Sequence, residues 1–245
     1  MALIKQLKEM LENHFERYPH VGLNALAMRS GVGATTLRRI MNCSLKGDPA
    51  PHTVLNIVSC LYKEKRLSKL LSLVEGPIGT FLRETFGIYV ETQTPHIYDT
   101  DLNQVLSDSI NYFIYKLAAN DAGTNRIKIF ELFGKLGAEH LEHLFAMELL
   151  FEKNGVIHAR DKNFILDVTV AKKHLSDLVQ FFHPENLGEG RNVMHSLSES
   201  LSEEGVKKVR AIQKEAAKKI LEVMNDSQYT GEIPYFTLNL GDILG

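Results

Sequence analysis

The stretch Leu23–Met41, LNALAMRSGVGATTLRRIM, constrains this chain most, because two short amphipathic segments flank a glycine within it. Two helices that cross closely need a small residue where they touch, and Ala27 supplies one. The sharp turn between them calls for a left-handed backbone, which Gly31 adopts without steric cost. Val32, Leu37 and Ile40 then fall on the inner face of the second helix, predicted over about 34–42. Ala34, Thr35, Arg38 and Arg39 are left on its outer face.

The flanks extend the helical pattern. Residues 2–17 carry Leu3, Ile4, Leu7, Met10, Leu11 and Phe15 at three- and four-residue spacings, an apolar stripe that Tyr18-Pro19 brings to an end. Pro51 and Thr53 announce another helix over about 51–62, after the loop Ser44–Ala50. Residues 67–95 read as a helical connection closing on Thr92-Gln93-Thr94-Pro95, a polar, proline-marked domain boundary. The expected division is thus 1–75, a connection 76–95, and 96–245. The formal net charge of -2 hides an asymmetry that follows this division. Residues 1–75 hold 11 lysines and arginines against 6 acidic residues, and the remainder holds 17 against 24. A basic head on an acidic body suits a chain that offers one end to a polyanion.

At Ala27, Gly31-Val32, Leu37 and Ile40 the chain resembles the lambda-repressor-like helix-turn-helix superfamily, over about residues 1–75. The resemblance implies sequence-specific binding of double-stranded DNA, with the helix at 34–42 in the major groove. It implies base-edge contacts for Thr35 and Arg39, and phosphate contacts for Thr36, Arg38 and Lys46. Two positions depart from the superfamily pattern. Gly33 stands where a serine or threonine usually caps the recognition helix, and Asn42-Cys43 where a charged residue and a glycine are frequent. The competing expectation is an interaction or ligand-sensing protein that keeps the bundle but leaves DNA alone, since fold does not dictate function. Its mark would be an electrostatically neutral surface around Thr35 and Arg39, or that surface buried in a dimer.

Farther on, helices are predicted at about 100–119, 124–134 and 138–153. A hairpin of Val156–His158 with Asn163–Leu166 follows, then a helix over 169–182 closed by His183-Pro184. Alternation suggests strands at Val193–Leu197 and Tyr235–Leu240. Between them Ser202 caps a long helix with Val206, Val209, Ile212, Ala216, Ile220 and Val223 along one side. Residues 126–166 resemble a winged helix: a helix, the turn Gly134–Gly137, a second helix and a two-stranded wing. The second helix carries Glu139, Glu142, Glu148 and Glu152, which phosphates would repel, so a packing, dimerisation or effector-sensing role is expected. As a whole the chain is similar to an uncharacterised bacterial family of transcription regulators with a C-terminal region of unknown function. The likeness runs through Arg191–Gly205, the lysine-rich helix and Tyr235–Leu240. The expected fold is therefore mainly α: an N-terminal helix-turn-helix bundle and a winged-helix-like α+β body with a few short strands.

Other chemistry finds little footing. Cys43 and Cys60 are too few for a disulfide framework or a zinc site of their own. His140 and His143, with Glu139 and Glu142, miss the His-Glu-x-x-His spacing and read as a solvated helix face. No P-loop or nucleophile elbow is present, Gly188–Arg191 reads as a surface loop, and Tyr112, Phe113 and Tyr115 read as core or interface. No enzyme activity, catalytic residue, cofactor or metal is expected. No segment approaches the roughly 18 consecutive apolar residues of a membrane span, and the N-terminal helix lacks the pattern of an export signal. The expected setting is the bacterial cytoplasm, with DNA, a homodimer partner and an unidentified effector as partners and no membrane.

Overall fold

The computed structural model describes residues 2–90 and 95–243. Among these, the chain is mainly helical, with twelve α-helices and one two-stranded antiparallel sheet. No helix among the described residues is long and apolar enough to cross a membrane. The boundary expected at Thr92-Gln93-Thr94 lies outside the described residues. The chain divides into two compact units, one running up to Asp108 and including Asp161–Val170, the other made of Ser109–Arg160 with the chain from Ala171 onward.

The first unit contains α1 (Ala2–Arg17), α2 (Leu23–Ser30), α3 (Ala34–Met41), α4 (Pro51–Tyr62), α5 (Leu67–Leu73), α6 (Gly76–Phe86) and α7 (Thr100–Val105). Its core forms where the apolar stripes meet. Leu7 and Leu11 of α1, Leu26 of α2, Leu37 and Ile40 of α3, and Val54, Leu55, Ile57 and Val58 of α4 are all buried together. Leu67, Leu70, Leu71, Val74, Ile78, Leu82 and Phe86 belong to the same core. Residues 67–86 therefore complete the first bundle, where a connection between domains was expected. Their leucine spacing is that of a helix with a face to bury, and the bundle is what buries it.

A buried polar group ties Asp161–Val170 to this unit. Asp167 is 8% exposed and accepts hydrogen bonds from the Thr169 hydroxyl at 2.5 Å and the Thr169 N–H at 2.8 Å on one oxygen. The Tyr98 hydroxyl donates to the other oxygen at 3.0 Å and also meets the Asn56 side-chain amide. The Asp167 N–H donates to Asn103 Oδ1 at 2.6 Å, and Asn103 Nδ2 donates to the Ile165 carbonyl at 3.1 Å. Burial alone would raise the Asp167 pKa. The hydrogen bonds from Thr169 and Tyr98, with His52 nearby, outweigh burial and hold it below its ordinary value. Burial and the Asp167 charge together push the Tyr98 phenol far above its usual range, so it stays a donor. Phe164 bridges Ile97 in parallel fashion beside this cluster. Residues 163–166 are accordingly not half of a hairpin with 156–158, because their backbone pairs with Ile97 instead.

In the second unit, α8 (Ser109–Ala119) precedes α9 (Arg126–Ala146), β1 (Leu150–Lys153) and β2 (Val156–Ala159). The single helix expected over 100–119 is two helices, interrupted at Leu106–Asp108. Gly134, at φ 61° and ψ -149°, breaks α9 into two helical halves. β1 and β2 pair with Leu150 opposite Ala159 and Lys153 opposite Val156. Their turn is Asn154-Gly155, both at positive φ, as a two-residue hairpin turn requires. The hairpin thus sits earlier than expected, and the second half of α9 stops at Ala146. Thr124 exchanges two backbone hydrogen bonds with Ile157, at 3.0 and 2.7 Å, adding one bridging residue on the far side of β2.

The helix expected over 169–182 is broken at His174 into α10 (Val168–Lys173), which straddles the division between units, and α11 (Leu175–Gln180). α12 (Glu203–Asn225) starts at Ser202, whose hydroxyl accepts from the Gly205 N–H at 3.2 Å. No residue of α12 is buried. The strands expected at Val193–Leu197 and Tyr235–Leu240 do not form. Both stretches are irregular, with no adjacent strand to take their backbone hydrogen bonds.

Tyr98→Phe leaves the Asp167 carboxylate short of a buried donor and should lower unfolding free energy by about 1–3 kcal/mol in urea titrations. Because the folded-state pKa of Asp167 is depressed, its contribution is full above the ordinary aspartate pKa of about 4 and fades as pH falls through the folded value. The stability gap between the wild-type chain and Asp167→Asn should therefore be widest above pH 5 and narrow below pH 4.

Candidate nucleic-acid interface

α3 is built from two sides of opposite character. Leu37 and Ile40 are fully buried, and α3 packs against both α1 and α2. Thr35, Arg38 and Arg39 are exposed, and Thr36 is half-buried beside them. The turn before α3 holds Gly31 at φ 67°, left-handed as expected, with Val32 buried behind it. Gly33 begins α3 without any side-chain cap.

The departure at Asn42-Cys43 has a structural counterpart. Cys43, exposed and at φ 49°, takes the left-handed position that ends α3. The Cys43 N–H donates to the Ile40 carbonyl at 3.0 Å, and the Ser44 N–H reaches back to the Arg39 carbonyl at 2.8 Å. This is the pattern a glycine usually supports at a helix C-terminus. Cys43 supports it at the cost of a Cβ in a crowded region. Lys46 follows on the loop and is exposed.

The charge along this part of the chain is unbalanced. Between Arg17 and Lys63 the chain carries six lysines and arginines and a single acidic residue, Asp48. Among the described residues Arg29, Arg38, Arg39 and Lys46 make no ion pair with a carboxylate. Bases farther along are paired. Lys65 meets Asp99 at 2.5 Å, while Arg66 and Lys69 both hold Glu64 at 3.0 Å. Hydrogen bonds from Arg66 and Lys69 pull the Glu64 carboxyl down to about 2. Arg29 and Lys63 form a further cationic group that the motif alone did not single out. Burial lowers the His14 pKa, and these two cations lower it again. Their signal in the sequence is the nearly acid-free run from 17 to 63.

In the second unit, the acidic residues of α9 are partly answered from within. Arg126 pairs with Glu142, and with Glu152 of β1 at 3.1 Å, and lies 5.2 Å from the Phe145 ring centre. Lys135 reaches Glu139 at 3.8 Å. His140 Nδ1 lies 2.9 Å from Asn111 Oδ1. Among the described residues, no three His, Cys, Asp or Glu side chains converge as metal ligands. Tyr112, Phe113 and Tyr115 are buried, as core residues of this unit.

Two substitutions at the ends of the turn and of α3 should act in opposite directions. Cys43→Gly should raise unfolding free energy by about 0.5–1 kcal/mol by relieving the left-handed strain, net of glycine's extra freedom when unfolded. Gly31→Ala should lower it by about the same amount, since its Cβ would also meet Thr100 at 3.3 Å. Paired thermal and urea melts measure both. No protein-family model matches the chain, and no curated protein or solved structure is detectably similar to it.

Proposed function

We propose that this chain is a sequence-specific DNA-binding transcriptional regulator that reads the major groove with α3. The observation that carries the reading is the outer side of α3 and its following loop. Thr35, Arg38, Arg39 and Lys46 stand exposed there, with no carboxylate among the described residues paired to the three bases. Exposed arginines without internal partners suit phosphate oxygens and guanine edges, where a guanidinium donates two hydrogen bonds at once. In this reading α2, the Gly31 turn and α3 are a helix-turn-helix. Thr35 and Arg39 reach base edges, while Thr36, Arg38 and Lys46 hold the backbone.

The second unit fits a winged helix. Its order is α8, the bridging residue Thr124, the two halves of α9 about Gly134, and the β1–β2 hairpin with Thr124 and β1 on opposite sides of β2. Glu139 and Glu142 of its second half-helix, with Glu148 and Glu152 beyond it, suit packing, dimerisation or effector sensing in place of DNA contact. The regulator works as a cytoplasmic homodimer, because one small module buries too little surface for tight specific binding and a two-fold pair doubles it.

Duplexes enriched from a random pool by the full chain provide the test. Arg39→Ala should relax the choice at one base pair by about 1–3 kcal/mol. Lys46→Ala should weaken all sequences alike and reduce the slope of log affinity against log salt by about 0.9. Failure to enrich any duplex, or wild-type binding by both variants, contradicts the proposal.

A further inference from the structure

The second unit contains a cavity of about 270 Å³ whose walls are apolar but whose only charged side chains are lysines, apart from the titratable His183. Phe113, Phe133, Phe181, Tyr235 and Phe236 supply the aromatic walls. Phe113 and Phe181 lie 4.7 Å apart by ring centres, and Phe113 stacks on Phe133 at 6.3 Å. Water in such a space finds few partners, so an apolar occupant fits it better. The segment Pro234–Phe236, which forms no strand, makes part of the wall and is thereby given a place in the unit.

Lys116 and Lys128 give the occupant its charge. Lys116 is held by the Tyr112 hydroxyl at 3.1 Å and lies 5.5 Å from that ring's centre. Lys128 sits in the first turn of α9, where Asn125 caps the helix and the helix dipole favours a negative group. No Asp or Glu lines the cavity, and no described carboxylate pairs with either lysine. Two cations at the edge of an aromatic chamber, with no anion of their own, call for an anion with an apolar body.

We propose that this cavity binds a small apolar monocarboxylate, its ring or short chain among the phenylalanines and its carboxylate on Lys128 and Lys116. The size agrees. A dry cavity of about 150 Å³ takes a benzene ring, so this one takes a ring with a short acid chain. The proposal is independent of the DNA-binding reading, because its test reads binding to the chain itself.

The full chain is titrated calorimetrically with 3-phenylpropionate and, separately, with the neutral amide of the same acid. Saturable binding of one acid per chain is expected, with the amide about tenfold weaker for want of a charge-assisted hydrogen bond. Lys128→Gln should narrow the gap between acid and amide, Lys116 keeping part of it. Leu132→Trp, at an exposed position on the cavity rim, should abolish binding of both. Thermal melts of each variant verify that it is folded, and Lys128→Gln carries the test should Leu132→Trp not fold. No binding of the acid at millimolar concentration overturns the proposal. So does equal affinity for acid and amide in the wild-type chain, or wild-type discrimination by Lys128→Gln.

Discussion

An eight-residue helix has no stability of its own in water, so everything α3 presents outward depends on how firmly its inner side is held. Leu37 and Ile40 are fully buried, each contributing roughly 1.5–3 kcal/mol of apolar burial. The helix is pinned at both ends by left-handed residues, Gly31 before it and Cys43 after it. With one side fixed and both ends turned, the outer side has no freedom to rotate inward. Thr35, Arg38 and Arg39 are exposed because Leu37 and Ile40 are not.

The scaffold behind α3 is closed by a polar fastener as well as by its core. Asp167 arrives from far along the chain and lies among Tyr98, Asn56, Asn103 and Thr169, each of its oxygens accepting a hydrogen bond. A buried carboxylate is tolerated only with such provision. The arrangement also favours one seat for the segment, since a shift by one residue would cost Asp167 its Tyr98 donor. The ion pairs of this unit show a similar division of labour. Glu64 and Asp99 take up Lys65, Arg66 and Lys69, whereas among the described residues Arg38, Arg39 and Lys46 make no ion pair.

Local features were legible in the sequence and distant ones were not. The stripe of α1, the left-handed Gly31, the inner and outer sides of α3 and the Ser202 cap all follow from spacing within a few residues, and each stands in the structure. Asn154-Gly155 falls between the helix expected to 153 and the hairpin expected from Val156. It is the turn of the hairpin itself, and Leu150, Ile157 and Ala159 are the strand residues that are buried. Residues 163–166 carry strand-like side chains, but their partner is Ile97, which no local pattern announces. Alternation at Val193–Leu197 and Tyr235–Leu240 promised strands that lack neighbours. Arg29 and Lys63, the cations near His14, lie outside the motif and show in the sequence only through the nearly acid-free run from 17 to 63.

Sequence reading by this chain requires the outer side of α3 to enter a duplex groove. A DNA-cleaving iron chelate on Thr35→Cys, in a chain whose exposed Cys43 is serine, probes that placement directly on the enriched duplex. The prediction is strand cleavage confined to about one helical turn within the bound site. A duplex that is bound yet left uncut from position 35, or cut without preference along its length, contradicts it.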